Sequence, residues 1–152
     1  MSVFQSLNNT ASALTAQRLR MDVISSNMAN VDSTRGKLVN GKWEPYRRKT
    51  VEFQPEGGSF SSFLNDAMNN EDATANGGVQ VSKIEEDTKT PFKMQYDPEN
   101  PDANADGYVQ LPNVDPLREM VDLMSATRSY EANVTVFNAS KSMMMKALEL
   151  GK

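Results

Sequence analysis

The chain of 152 residues contains no cysteine and no histidine. These absences exclude thiol nucleophiles, thiol redox chemistry and imidazole acid–base catalysis, and they remove the usual ligands of zinc. An enzyme would have to work with carboxylates, lysine, tyrosine or serine alone. We therefore expect a protein with no catalytic residues, no cofactor and no bound metal.

Aromatic residues and long apolar runs are also scarce. The chain has one tryptophan and no run of about 18 apolar residues that could span a bilayer. Its net charge of −4 argues against a nucleic-acid partner, whose phosphates require cations. The opening residues, MSVFQSLNNT, lack the basic and apolar regions of a secretory signal peptide. We expect one small domain without direct membrane insertion.

Both ends of the chain show the seven-residue spacing of a coiled-coil helix. At the C-terminal end, Asp115-Pro116 offers a helix N-cap followed by proline at the first helical position. The spacing predicts assembly helices over residues 1–31 and 115–152. Their predicted seams, and hence the candidate assembly interface, are Leu7, Leu14, Met21 and Met28 in the first helix and Leu123, Tyr130, Phe137 and Met144 in the second.

The middle segment, residues 32–114, is irregular and contains short β-like stretches. Asn40-Gly41 predicts a tight hairpin turn, because both residues tolerate positive φ. Residues 69–78 have the composition of a flexible loop. A short amphipathic helix is predicted over 60–68, and strands over 46–53, 79–84, 92–96 and 108–111. The predicted fold class is α+β, with long N- and C-terminal α-helices pairing as a coiled coil around a small, irregular, β-rich middle segment.

The outer face of the N-terminal helix favours assembly over an isolated helical hairpin. A surface helix normally has a charged outer face, whereas this one has small, uncharged, hydrogen-bonding side chains. Binding to a membrane surface would require a face rich in lysine and arginine. We therefore expect burial among neighbouring subunits for the residues of this face, which are Ser6, Asn8, Asn9, Ser12, Thr15, Gln17, Ser25, Ser26 and Asn27.

Two further clusters have an ordinary structural interpretation. The basic run Arg47-Arg48-Lys49 is most simply a solvated strand edge that discourages unwanted strand pairing, although it could also dock an acidic surface. The triplet Met143-Met144-Met145 fits flexible core filler better than an adaptable binding surface.

The stretch from Asp102 resembles the start of an EF-hand calcium loop. Asp102, Asn104 and Asp106 occupy ligand positions, and Gly107 follows them. Position twelve, however, is Asn113, which cannot supply the bidentate carboxylate, and a predicted strand follows where a helix should. A small calcium-binding module using Asp102–Asp106 remains the alternative, and a proline-framed connector between strands is preferred.

Four stretches together resemble the bacterial flagellar rod proteins, and most closely those of the proximal rod. The N-terminal stretch is similar to a signature shared by rod and hook proteins, with Met28 where leucine is more usual. The resemblance covers nearly the full length. It rests on residues 12–17 with 24–30, on 46–54, on 97–109, and on 113–115 with 124–133 and 141–145.

This resemblance implies a non-enzymatic structural subunit of the flagellar basal body that transmits motor torque for motility. The implied partners are other flagellar rod proteins, copies of the chain itself and the flagellar type III export apparatus. The implied location is outside the inner membrane, in the periplasm or cell-wall space. The resemblance also implies that the terminal helices pack together in the inner tube of the rod.

Overall fold

The structure, a computed structural model, describes residues 3–56, 68 and 78–150. Two long helices stand at the two ends of the element order, with short strands between them in sequence, which confirms the α+β class. The elements in chain order are α1 (Val3–Ala29), β1 (Lys37–Val39), β2 (Lys42–Glu44), β3 (Lys49–Pro55), β4 (Val79–Glu86), β5 (Lys93–Tyr96), β6 (Tyr108–Leu111) and α2 (Pro116–Leu150). The predicted helix over 60–68 and the predicted loop over 69–78 lie almost wholly outside the described residues.

Local chemistry explains where the helices begin and end. Asp115 Oδ1 accepts a hydrogen bond from Leu117 N at 3.1 Å, so the predicted N-cap of α2 is confirmed. At the end of α1, Asn30 Nδ2 donates to Ser26 O at 2.8 Å, which satisfies a carbonyl left without a partner by the end of the helix.

The strands form three separate two-stranded sheets, β1–β2, β3–β4 and β5–β6. The first and third are antiparallel hairpins. In β3–β4, one bond joins Glu56 N to Gly78 O and another joins Asp87 N to Arg48 O, so these strands also run in opposite directions. The predicted strand over 46–53 begins later than expected, at Lys49, because Arg48 N donates to a side chain, Asn113 Oδ1.

The predicted turn at Asn40-Gly41 is confirmed. Asn40 has a φ of 50° and Gly41 a φ of 80°, the left-handed pair that a two-residue hairpin turn requires. The register places Val39 opposite Lys42 and Leu38 opposite Trp43. Leu38 and Trp43 therefore share one face of the hairpin.

The chain divides into two compact units, and each unit combines segments that are distant in sequence. The first unit comprises Met1–Leu19, Glu52–Lys83 and Ala126–Lys152, and the second comprises Arg20–Val51 and Ile84–Ser125.

In the first unit, the start of β4 is tied to helix α1. Val79 N donates to Ser12 Oγ at 3.0 Å, although the sequence placed Ser12 on the outer face of the helix. Among the residues of this unit that the structure describes, the buried side chains are small, namely Thr10, Ala16, Ala126 and Ser140.

In the second unit, the core contains both apolar and polar side chains. Its buried apolar residues include Val23, Ile24, Val109, Pro112 and Val114, and its buried polar residues are Asn27, Asn113 and Glu119. Because polar side chains form part of this core, hydrophobic periodicity alone identifies few of its residues.

Gly36 is required by a close approach of the backbone. A Cβ added at Gly36 would lie 2.6 Å from both N and Cα of Tyr46. Gly36→Ala is therefore expected to lower the free energy of unfolding by about 1–3 kcal/mol, because the backbone would have to move. Urea unfolding would measure the change. A gain in stability, the usual effect of alanine where the site is compatible, would contradict this packing.

Candidate assembly interface

A buried polar cluster in the second unit is centred on Asn27, whose side chain is 1% exposed. Its amide Nδ2 donates to Lys49 O at 2.8 Å, and its Oδ1 accepts from Lys49 N at 2.9 Å. The Asn27 side chain thus satisfies both backbone groups of Lys49 as a neighbouring strand would. Oδ1 also accepts from the Tyr46 hydroxyl at 3.0 Å, and Nδ2 also donates to Glu119 Oε2 at 3.1 Å.

The charged part of this cluster joins the start of α2 to β3. Glu119 is fully buried, and its Oε1 accepts from Arg48 Nε at 2.5 Å. Arg48 Nη2 also lies 3.4 Å from Asp122 Oδ2, and Arg20 Nη2 lies 3.5 Å from Asp122 Oδ1. Every buried charge in this group therefore has an opposite charge within reach. We call Asn27, Tyr46, Arg48, Glu119 and Asp122 the polar clasp.

The clasp corrects two sequence interpretations. Asn27 is buried and does not lie on an outer face of α1. The run at 47–49 is not a solvated edge: the Arg48 side chain is 14% exposed, and Arg47 lies 4.4 Å over the ring of Phe92. Both errors have one cause, because the partners lie on elements distant in sequence.

Helix α2 presents apolar side chains on the side opposite its buried positions. Glu119 and Ala126, seven residues apart, are fully buried. Residues two positions away lie on roughly the other side of a helix with 3.6 residues per turn. In the second unit, this side carries Leu117, Val121 and Met124, which are 75%, 60% and 55% exposed and which we call the outer face of α2. In the first unit, Val136 and Met143 are 50% and 63% exposed, but they lie four and three residues from buried Ser140. They form a separate patch, which we call the second patch of α2.

An outer face of this kind is unusual for a surface helix, whose solvent side is normally charged. Contiguous exposed apolar groups mark interaction sites in soluble proteins. The outer face of α2 is therefore the main candidate for contact with other subunits. Seven-residue spacing identified only the opposite seam, because the seven-residue spacing of Leu117 and Met124 is not continued: Glu131 occupies the next position.

The eight seam residues of the sequence prediction are all half-buried in the chain. None is fully covered and none is fully exposed, so each keeps surface that a neighbouring subunit could contact. They are Leu7, Leu14, Met21, Met28, Leu123, Tyr130, Phe137 and Met144.

The acidic connector is the loop that closes the β5–β6 hairpin. Asp97 N donates to Gly107 O at 2.9 Å, and Gly107 has a φ of 79°. Asn104 Oδ1 accepts from Asp106 N and Tyr108 N at 3.0 and 2.9 Å. The loop thus leads directly into β6, as the sequence predicts for a connector.

Two of the three proposed calcium ligands, Asp102 and Asn104, have side-chain oxygens bonded to protein groups. Asp102 Oδ1 accepts from Arg35 Nη2 at 2.6 Å, and Asp102 Oδ2 accepts from Thr34 Oγ1 at 2.8 Å. Asn113, at the twelfth position, is buried and bonded to Arg48 N at 2.7 Å. Within residues 3–56, 68 and 78–150, no group of three acidic side chains could hold a metal ion.

Asp102 gives the loop a dependence on pH. The hydrogen bonds from Arg35 and Thr34 lower the pKa of Asp102 below its ordinary value of 3.8. A lowered folded-state pKa stabilises the fold fully above the ordinary value, and this contribution is lost as the pH falls through the folded pKa. Acidification below 3.8 is therefore expected to weaken the contact of Asp102 with Thr34 and Arg35. Amide exchange at Thr34 and Asp102 would measure this, and Asp102→Asn should abolish the pH dependence. An unchanged acid response in that variant would contradict the assignment.

The described helices do not meet the requirements of a membrane span. Over the part of the chain that the structure describes, neither α1 nor α2 has a sufficiently apolar stretch.

Family models match both ends of the chain. Residues 7–36 match the family described as "Flagella basal body rod protein", and residues 105–150 match "Flagellar basal body rod FlgEFG protein C-terminal". The matched segments include most of α1, and β6 together with α2.

Curated relatives match over the full length. The "Flagellar basal-body rod protein FlgC" of Bacillus subtilis (strain 168) is 65% identical over 152 residues, which is 100% of both chains. The protein of the same name from Borreliella burgdorferi is 45% identical, covering 99% of this chain and 98% of the relative. That of Escherichia coli O6:H1 is 44% identical over 100% of both chains.

Proposed function

The chain belongs to the FlgC family of flagellar basal-body rod proteins, and we propose that it assembles helically in the proximal part of the rod and transmits motor torque. Membership makes it a structural subunit of the basal-body rod and not an enzyme. Other rod proteins are accordingly its partners. The proximal position, the helical assembly and the individual contacts are parts of the proposal.

The outer face of α2 is the observation that supports assembly most strongly. Leu117, Val121 and Met124 are each at least half exposed within three turns of one helix. Covering this face with a neighbouring subunit would remove apolar surface from water at about 25 cal/mol per Å². Because a rod grows without closing on itself, the contacts must be head-to-tail and not symmetric.

The predicted seams complete this proposal. Each half-buried seam residue has surface left for a neighbour, so the seams of α1 and α2 would contribute to packing between the helices of adjacent subunits. In this proposal, residues 1–31 and 115–152 are the assembly segments, pairing as a coiled coil. Residues 32–114 fix the angle between subunits.

The location and route of export follow from the family resemblance. We propose that the subunit is exported by the flagellar type III apparatus and assembles outside the inner membrane, beside copies of itself and other rod proteins.

Deletion of the gene tests the proposed function. The deletion strain is expected to be non-motile and, by electron microscopy, to lack rods beyond the base. Expression of the intact chain should restore both. Complete rods in the deletion strain would contradict the proposal.

A further inference from the structure

Methionine is the only sulfur-containing residue type of this chain. There are ten methionines and no cysteine, so two-electron oxidation of sulfur can act only on thioethers. Met124 and Met143 are 55% and 63% exposed. Met124 lies on the outer face of α2 and Met143 on the second patch, so Met143 is not the core filler that the sequence predicts for the triplet at 143–145.

The aliphatic neighbours of these two residues explain why oxidation would affect association. Leu117 and Val121 lie beside Met124 on the same face, and Val136 lies two turns before Met143. An oxygen atom added to either sulfur would place a strong hydrogen-bond acceptor among aliphatic side chains. A polar group buried there without a partner opposes association.

We propose that Met124 and Met143 are oxidation sites of the free subunit, and that their conversion to sulfoxide prevents the subunit from entering the rod. This inference rests on the proposed function, because it requires the outer face and the second patch of α2 to be buried in the assembly.

The reaction requires a two-electron oxidant such as hydrogen peroxide. The thioether lone pair attacks a peroxide oxygen, an S–O bond forms, the O–O bond breaks and water leaves. Sulfur is oxidised by two electrons, and the peroxide is reduced by two. The sulfoxide is polar where the original side chain was apolar, so an oxidised subunit is excluded from the rod.

Peptide mapping of peroxide-treated cells tests the oxidation step. Sulfoxide at Met124 and Met143 is expected to be at least about tenfold more abundant in the unassembled pool than in isolated basal bodies, the ratio that a penalty of one unpaired polar group gives. Met94, which lies on β5 and is 54% exposed, is the matched control and should show no such difference. Equal sulfoxide at Met124 and Met143 in both pools would overturn the proposal.

Substitutions test, without any oxidant, whether a polar side chain at these two positions prevents incorporation into the rod. Met124→Gln with Met143→Gln, which mimics the polar sulfoxide, is expected to reduce incorporation at least about tenfold. Met124→Leu with Met143→Leu should incorporate normally, and so should Met94→Gln. Normal incorporation of the glutamine pair would refute the inference. If Val121→Asp is nevertheless excluded from rods, the proposed function stands; if that variant also incorporates, the proposed function fails.

Discussion

A charge at Val121 or at Val136 is expected to abolish swimming without unfolding the free chain. Both side chains are at least half exposed, so Val121→Asp or Val136→Asp should change the free energy of unfolding by no more than about 0.5 kcal/mol. In the rod, the same carboxylate would have to be buried without a partner, which costs several kcal/mol. Motility and the presence of the chain in purified basal bodies would measure the effect.

The exposed position of these residues makes the experiment selective. Half-buried seam positions such as Leu14 and Phe137 would mix a loss of folding with a loss of assembly. Thr88→Asp, in an exposed loop, is the control and should swim normally. Normal motility of both valine variants would remove the main support for assembly through α2.

Loss of the Glu119 carboxylate is expected to cause the largest loss of stability in the second unit. Glu119→Ala leaves Arg48, whose side chain is 14% exposed, without its closest anion, and removes a partner of Asn27. Breaking one side of a buried ion pair typically costs about 3–5 kcal/mol. Urea unfolding followed by the emission of Trp43, which lies in the same unit and is the single tryptophan, would report the change.

The exposed pair at the end of α2 provides the control for this variant. Lys146 and Glu149 lie 3.8 Å apart with side chains 81% and 68% exposed. Glu149→Ala should change the free energy of unfolding by less than about 1 kcal/mol. If Glu119→Ala has an effect as small as this one, the clasp does not stabilise the second unit.

Features set by neighbouring residues were predictable from the sequence. The Asn40-Gly41 turn and the Asp115 N-cap depend on backbone preferences and on bonds between residues two apart, and the structure confirms both. The extents of both helices follow from seven-residue spacing in the same way.

The polar clasp was not predictable by such local rules. Arg48 and Glu119 are 71 residues apart, and Asn27 and Glu119 are 92 apart. A clue existed, because Glu119 lies four residues before Leu123 and seven before Ala126, on the side that α2 buries. A carboxylate at such a position requires a cation or several donors. Which residue supplies them depends on tertiary structure.

Chemical labelling tests the central claim most directly. Because the chain has no cysteine, Val121→Cys introduces one thiol on the outer face of α2, and Val136→Cys introduces one on the second patch. A maleimide should modify both thiols in the free chain and neither in isolated basal bodies, whereas Thr88→Cys should react in both. Equal labelling of positions 121 and 136 in free chain and basal bodies would contradict burial of these two surfaces of α2 in the rod.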